Sequence, residues 1–398
     1  MNRKQFIFVL IALAIIGSAG LILLNQKRES WTVREARMGD KVLKDFKIND
    51  VAVIHVKGKG GSDFNVVNTN GIWCVRERND YVANYQQIKD LLIKIRDIKV
   101  VQAETFVHSE LPQVELDEPG KGAGSGTLLE FKDRQGKLIE ALLVGKRHLR
   151  PEEKGVPFGL HGLFDGCYIL LPKDSETVLL ISNELSSATP DPESWLSRDF
   201  FKIERIRFIS SVSQNMANSW SVSRETQSGP WTLADNKSGS EEVLDANTIS
   251  QTVEMIGFLR FTDVIPNTVA SQISLKNPVV LTIQTFDNFS YTLKIGDRNP
   301  NGNYHMTVNV AADISAERTV GRNETAEEKK TLDEEFREKT NRLQNKLAKE
   351  LLLARWVYVV DSQNIDMLIR DRTQILEKKA TVGKQSKAAN NVLLGVDH

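Results

Sequence analysis

The chain has 398 residues, with 52 Lys and Arg against 52 Asp and Glu, and 40% of it is hydrophobic. That length supports two packed domains. The formal net charge of +0 argues against a nucleic-acid partner, which needs a basic face to neutralise phosphates, while leaving room for a local basic patch.

Phe6 to Leu24 is a nearly unbroken apolar run, interrupted by Gly17, Ser18 and Gly20. At about 1.5 Å of rise per residue it nearly spans a hydrocarbon core of about 30 Å. A cleaved signal peptide with Gly17-Ser18-Ala19 as its small-residue site is the rival reading. Leu21 to Leu24 continues the apolar run past that point and favours an uncleaved anchor, residues 1–28. Arg3-Lys4 and Lys27-Arg28 flank both ends, so charge alone leaves the orientation open. A large body after an N-terminal anchor is expected to lie outside the cytoplasm.

The body reads as written twice. Phe46-Lys47-Ile48 and Phe201-Lys202-Ile203 each open a short apolar strand, a polar turn and a Gly-x-Trp step, Gly71-Ile72-Trp73 and Gly229-Pro230-Trp231. The offset is about 155 residues, the size of a domain. A helix follows in each copy, with Ile88, Leu91, Leu92, Ile95 and Ile98 in one and Ile249, Val253, Ile256 and Leu259 in the other. Asp245 is placed to cap the second. Two hairpins come next. Leu128 to Phe131 turns at Gln135-Gly136 into Leu138 to Val144; Val280 to Ile283 turns near Asp287-Asn288 into Tyr291 to Ile295. A tyrosine strand closes each copy, Cys167 to Leu170 and Val357 to Val360, and a short helical stretch is expected after each, Ser175 to Ile181 and Ser362 to Ile369.

The expected fold class is therefore α+β: a transmembrane helix, then two tandem repeats of an antiparallel sheet with a helix packed on it. The boundaries are 40–190 for the first repeat and 191–372 for the second, with a helical insertion at 317–353 and a disordered tail at 373–398. The first copy is expected to manage with the loop Lys146 to Gly166 where the second holds its insertion.

Candidate chemistry is sparse. Gly120 to Gly126 precedes a strand rather than a helix, so it reads as a flexible surface loop and not as a phosphate cradle. Lys57 to Ser62 reads as a hairpin turn. His148 and His161 share a loop with Glu152, Glu153 and Asp165, at a spacing that matches no compact metal motif, so no metal and no cofactor are expected. No Gly-x-Ser-x-Gly elbow or His-Glu-x-x-His occurs, so no catalytic residue is assigned and the chain is not read as an enzyme. Trp73 and Trp231 read as core anchors. Cys74 and Cys167 read as two separate buried thiols, although pairing cannot be deduced from sequence.

Thr325 to Leu353 lacks Gly and Pro and is rich in Glu, Lys and Arg, which predicts one long charged helix. Leu332, Phe336, Leu343 and Leu347 form a narrow apolar stripe on it. The stripe either packs on its own domain or docks a partner, and the docking reading makes these four the candidate contact residues. Lys339 and Glu350 fall near seam positions, which opposes an extended self-paired coiled coil.

The Trp strand, the Ile/Leu-rich helix, the hairpin ending in Val-Gly or Ile-Gly, the closing Tyr strand and the junction Trp195-Leu196-Ser197-Arg198-Asp199 together resemble a known pattern. With the N-terminal membrane segment, they are similar to the bacterial family of membrane-anchored domains of unknown function 4340, over about Lys44 to Ile369. The resemblance implies the inner membrane as the location and an ABC-type transporter or envelope protein as the partner. It carries over no catalytic residue, and the charged helix departs from the family's commoner pattern. The expected function is a single-pass, membrane-anchored extracytoplasmic interaction or accessory protein. The alternatives are an envelope-polymer hydrolase or ligand-binding protein using a cleft between the repeats, and a structural envelope spacer.

Overall fold

The computed structural model describes residues 38–149, 164–234, 242–265, 273, 275 and 277–377. The anchor segment Phe6 to Leu24 lies outside these residues. Among them, no helix is long and apolar enough to cross a membrane. The fold is α+β, with two antiparallel sheets and few helices. The chain divides into two compact units. One runs through Phe201 and adds Arg260–Ser274 and Arg355–Val360; the other holds Lys202–Leu259, Leu275–Ala354 and the chain from Asp361.

In the first unit the order is β1 (Val53–Lys57), β2 (Asp63–Thr69), β3 (Ile72–Val75), β4 (Tyr81–Val82), α1 (Tyr85–Asp97), β5 (Val100–Thr105), β6 (Thr127–Lys132), β7 (Leu138–Leu149), β8 (Phe164–Leu171) and β9 (Asp174–Ile181). They form one sheet, ordered β4-β3-β2-β1-β6-β7-β8-β9-β5. Period-two burial explains the packing. Ile54, Val56, Phe64, Val66, Leu129 and Phe131 point to one face of the sheet, and α1 buries Ile88, Leu91, Leu92 and Ile95. Asn84 caps α1 through a 3.2 Å bond from the Gln87 N–H to its side-chain oxygen.

The second run of elements is β10 (Ile206–Val212), β11 (Trp220–Ser223), β12 (Thr232–Leu233), α2 (Ala246–Gly257), β13 (Asp263–Val264), β14 (Val279–Thr285), β15 (Phe289–Arg298), β16 (Tyr304–Ala312), α3 (Ala326–Leu351), β17 (Val357–Val360) and α4 (Ser362–Leu368). The second unit orders its strands β12-β11-β10-β14-β15-β16, which repeats β3-β2-β1-β6-β7-β8. In the first unit β17 pairs with β13, as β9 pairs with β5. The strand order therefore recurs element by element, with a helix at the same step. Asp245 caps α2, accepting from the Asn247 and Thr248 N–H groups at 3.0 and 3.2 Å.

Several expectations are corrected. Ser175 to Ile181 is not helical; it lies in β9, because Thr177, Val178 and Ile181 are β-branched and the segment pairs on both sides, with β8 and β5. The tyrosine strands are not equivalent. Tyr168 lies on β8, which matches β16, whereas Tyr358 lies on β17, which matches β9. The strand β16 had no counterpart in the sequence reading. The counterpart of the insertion is accordingly the tight turn between Leu171 and Asp174, not the loop Lys146 to Gly166. Order also continues past Thr373: Ile375 is fully buried and Leu376 bridges Leu244. The rest of the tail, 378–398, lies outside the described residues.

The glycine loop is not a loose one. Glu115 sits left-handed, Asp117 bridges Ser125, and a Cβ on Gly126 would stand 2.7 Å from the Glu115 and Val144 carbonyl oxygens. The loop follows the 3-10 helix His108–Val114. Leu111 of that helix and Leu116 just beyond it bury against Leu143, Leu170 and Val178.

Candidate functional site

Three side-chain constellations hold the charge and chemistry of the described chain. The first lies on β1, β2 and β6. His55 points away from the Ile54 and Val56 face, and its ring bridges two carboxylates: Nδ1 lies 2.7 Å from Glu130 Oε2 and Nε2 lies 2.6 Å from Asp63 Oδ1. Lys132 stands 2.8 Å from the same Glu130 oxygen. Burial pushes the Glu130 carboxyl up, but hydrogen bonds from Lys132 and His55 outweigh it and hold the group below its ordinary value. Both ring nitrogens are therefore engaged by side chains of the neighbouring strands. The cluster is a brace across three strands. The matching points of the second sheet hold Ser210, paired with Thr282 and Ser221, so the brace belongs to the first copy alone.

The second constellation surrounds the Trp195-to-Asp199 junction in the first unit. Trp195 is 0% exposed and donates to the Thr189 carbonyl at 3.0 Å. Its own carbonyl accepts from the Asn84 N–H at 2.7 Å, and the Ser197 N–H donates to the Val82 carbonyl at 2.8 Å. The junction thus holds the entry to α1. Arg198 spreads its guanidinium over the carbonyls of Glu193, Phe261 and Thr262 at 2.8, 3.0 and 3.1 Å. Arg78 grips Asp263 with two bonds, 2.7 and 3.0 Å. Tyr81 packs edge-on against Phe261 and Trp356, with ring centroids 5.4 and 4.8 Å away. Burial drives its hydroxyl pKa upward. These groups have structural partners throughout, and their role is to secure β13 and β17 within the first unit. Single-sequence reading missed Arg78 and Asp263 because they stand 185 positions apart.

The third is the seat of α3 in the second unit. A capping box of Thr325 and Glu328 starts the helix. Arg318 binds Glu324 through both Nη atoms and Asp333 through Nε, at 2.9 Å. Hydrogen bonds from Arg318, then from the Gly321 N–H, bring the Glu324 carboxyl down to about 2. The four stripe residues divide. Leu332 is 38% exposed, whereas Phe336, Leu343 and Leu347 are half-buried. That line ends at buried Glu350, whose carboxylate accepts from the Tyr291 hydroxyl at 2.8 Å and the Lys202 N–H at 3.4 Å. Lys346 donates to the Lys202 carbonyl at 2.7 Å and lies 5.0 Å from the Phe289 ring centroid. The C-terminal half of the helix is therefore anchored on its own domain.

Other sequence candidates separate. Trp73 is buried, but Trp231 is only partly so and carries Arg224 over its ring at 4.7 Å. Its place as a core anchor goes to Trp220, which is buried and donates to the Arg370 carbonyl at 2.7 Å. Both cysteine thiols are free. His161, Glu152 and Glu153 lie outside the described residues, and among the described residues no group of His, Cys, Asp and Glu is arranged to hold a metal. An open hollow of about 570 Å³ beside β5 is lined by Lys41, Lys44, Asp45, Glu140 and Lys173. Two of its lysines are paired within it, Lys173 with Glu140 at 2.7 Å and Lys44 with Asp40 at 3.6 Å.

A family described as a domain of unknown function (DUF4340) matches residues 73–278, more than half of the chain. The match begins within β3 and stops just before β14. No curated protein and no solved structure matches.

Proposed function

The chain belongs to the DUF4340 family, and from that premise we propose that it is a single-pass, membrane-anchored extracytoplasmic interaction protein built from two copies of one α+β unit. The partner class is an ABC-type transporter or an envelope assembly protein. The apolar run Phe6 to Leu24 supports the anchor.

One observation carries the interaction reading. The connection that the first copy makes with a tight turn, Leu171 to Asp174, is expanded in the second to a helix of 26 residues. The expansion exceeds what the sheet needs. Its C-terminal half is seated through Leu343, Leu347 and Glu350, while its first two turns bury nothing. The docking surface is therefore the N-terminal end of the stripe, Leu332 and Phe336, held in position by Arg318. Leu343 and Leu347 act by seating the helix.

Crosslinking in the native membrane tests this. Leu332→Glu, at the exposed end of the stripe, is expected to leave the thermal midpoint nearly unchanged and to abolish one specific crosslinked product. Leu343→Glu with Leu347→Glu is expected to lower the midpoint. An unchanged crosslinking pattern in the first variant would refute the docking surface. For the anchor, the protein is expected to stay in the membrane pellet through alkaline carbonate and to be cleaved by protease added to spheroplasts. Release into the supernatant would show a cleaved leader instead.

A further inference from the structure

The first sheet carries a titratable cluster whose hydrogen bonds depend on one proton. His55 on β1 lies between Asp63 on β2 and Glu130 on β6, 2.6 Å from the first through Nε2 and 2.7 Å from the second through Nδ1. An ionised carboxylate only accepts, whereas a neutral imidazole donates from one nitrogen and an imidazolium from both. While both carboxylates are charged, only the protonated ring makes the two bonds together. Glu130 keeps its charge: burial pushes its carboxyl up, but hydrogen bonds from Lys132 and His55 outweigh this. With its side chain 12% exposed, the ring has little water to serve a nitrogen that has lost its partner.

The charged neighbours decide what happens when that proton leaves. Lys132 Nζ stands 2.8 Å from Glu130 Oε2 and 3.4 Å from His55 Nδ1. Lys57 Nζ stands 3.7 Å from Asp63 Oδ2. Glu77, on the turn after β3, is engaged by Asn65, the residue paired with His55 on β2. It accepts from the Asn65 N–H at 2.7 Å and from Asn65 Nδ2 at 2.9 Å. Beyond Glu130, β7 presents the uncharged Ala141. Among the described residues, Lys132 is the cation within reach of a ring nitrogen, and it reaches Nδ1. A neutral ring with its remaining proton on Nε2 keeps the bond to Asp63 and accepts at Nδ1 from Lys132. The opposite tautomer would set a bare Nε2 lone pair 2.6 Å from the Asp63 oxygen. The matching points of the second copy hold Ser210, Ser221 and Thr282, none of which changes charge.

We propose that His55 is a proton-operated clasp on the first sheet. Protonated, it ties β1 to β2 through Asp63 and to β6 through Glu130. Neutral, it keeps the tie to Asp63 and exchanges Glu130 for Lys132. The proton passes to solvent, and rising pH removes one charge-assisted bond between β1 and β6 while leaving the bond between β1 and β2. The test is nitrogen NMR of the full chain in neutral detergent, labelled at histidine, across about pH 5 to 9. Of the six histidine signals, His55 is the one absent from His55→Gln. Its neutral form is expected to be the Nε2–H tautomer. Lys132→Met removes a like charge and the donor to the neutral ring, and is expected to raise the titration midpoint by about half a unit or more. Glu130→Gln is expected to lower the midpoint by a similar amount. Lys137→Met, between β6 and β7, is expected to leave it unchanged. A neutral Nδ1–H ring, a midpoint that Lys132→Met does not raise, or a ring that holds one form across the whole range overturns the proposal. The tautomer and the titration are read in the unmodified protein, so refutation does not depend on a variant folding.

Discussion

The Tyr291 hydroxyl donates a 2.8 Å hydrogen bond to Glu350 Oε2, joining the middle of β15 to the end of α3. Tyr291 is fully buried, and the Glu350 side chain is 9% exposed. A carboxylate taken this far from water costs free energy unless it is bonded. Here the tyrosine, the Lys202 N–H and Lys346 do that, and they make α3 part of the second unit rather than an appendage hung on it.

Tyr291→Phe is expected to cost about 1.5–3 kcal/mol at neutral pH, since it removes a bond to a charged group. The pH dependence has a definite sign. Burial pushes the Glu350 carboxyl above its ordinary value, and the bonds from Tyr291, Lys346 and Lys202 only partly oppose this. The folded state therefore holds this proton more tightly than the unfolded chain. Its contribution is greatest below the ordinary glutamate range and is lost as pH rises through the folded value. Urea unfolding from acid to neutral pH should show native stability falling relative to Glu350→Gln across that window.

The Arg78–Asp263 pair links positions remote in sequence inside one unit, with side chains 14% and 26% exposed. Breaking a fully buried pair costs about 3–5 kcal/mol, and residual water access reduces that here to about 2–3 kcal/mol for Arg78→Met. The double variant with Asp263→Asn should lose less than the sum of the two singles. Strict additivity in the unfolding free energies would show that the pair is not coupled.

Cys167 is buried, and burial raises its thiol to about 11, with a 3.5 Å contact to the Asn183 carbonyl. Cys74 is raised too, again by burial first, but it is partly exposed. Iodoacetamide at mildly alkaline pH should modify Cys74 first and Cys167 only after unfolding. Both thiols should be reactive in denaturant without a reductant. A mass spectrum showing Cys167 alkylated first in the native protein would contradict this burial.

Gly126 stands where a methyl group would strike two carbonyl oxygens at 2.7 Å. Gly126→Ala is expected to cost about 1–3 kcal/mol as an overpacked site. A loose surface loop would absorb the substitution with no change in thermal midpoint, so the measurement separates a packed glycine loop from a flexible one.

Local signals made much of the fold legible. Helical spacing at Ile88, Leu91, Leu92 and Ile95, the Asp245 cap, and the turns at Gln135-Gly136 and Asp287-Asn288 are written in neighbouring residues, and the structure places them as read. Ser175 to Ile181 was misread because a short apolar run fits either period; only its pairing on both sides makes it a strand. Site chemistry was less legible for a related reason. The His55 brace depends on strand register, which is set by the faces that are buried together, and the Arg78–Asp263 grip joins a 3-10 turn to a strand 185 positions away. Composition by itself determined that the chain is neutral overall, and periodicity that it is α+β and recurrent. Only the tertiary structure decided that β13 and β17 join the first compact unit, and that the charged helix is seated on its own domain through its C-terminal end at Glu350. Both outcomes rest on contacts between residues more than 50 positions apart, such as Tyr291 with Glu350.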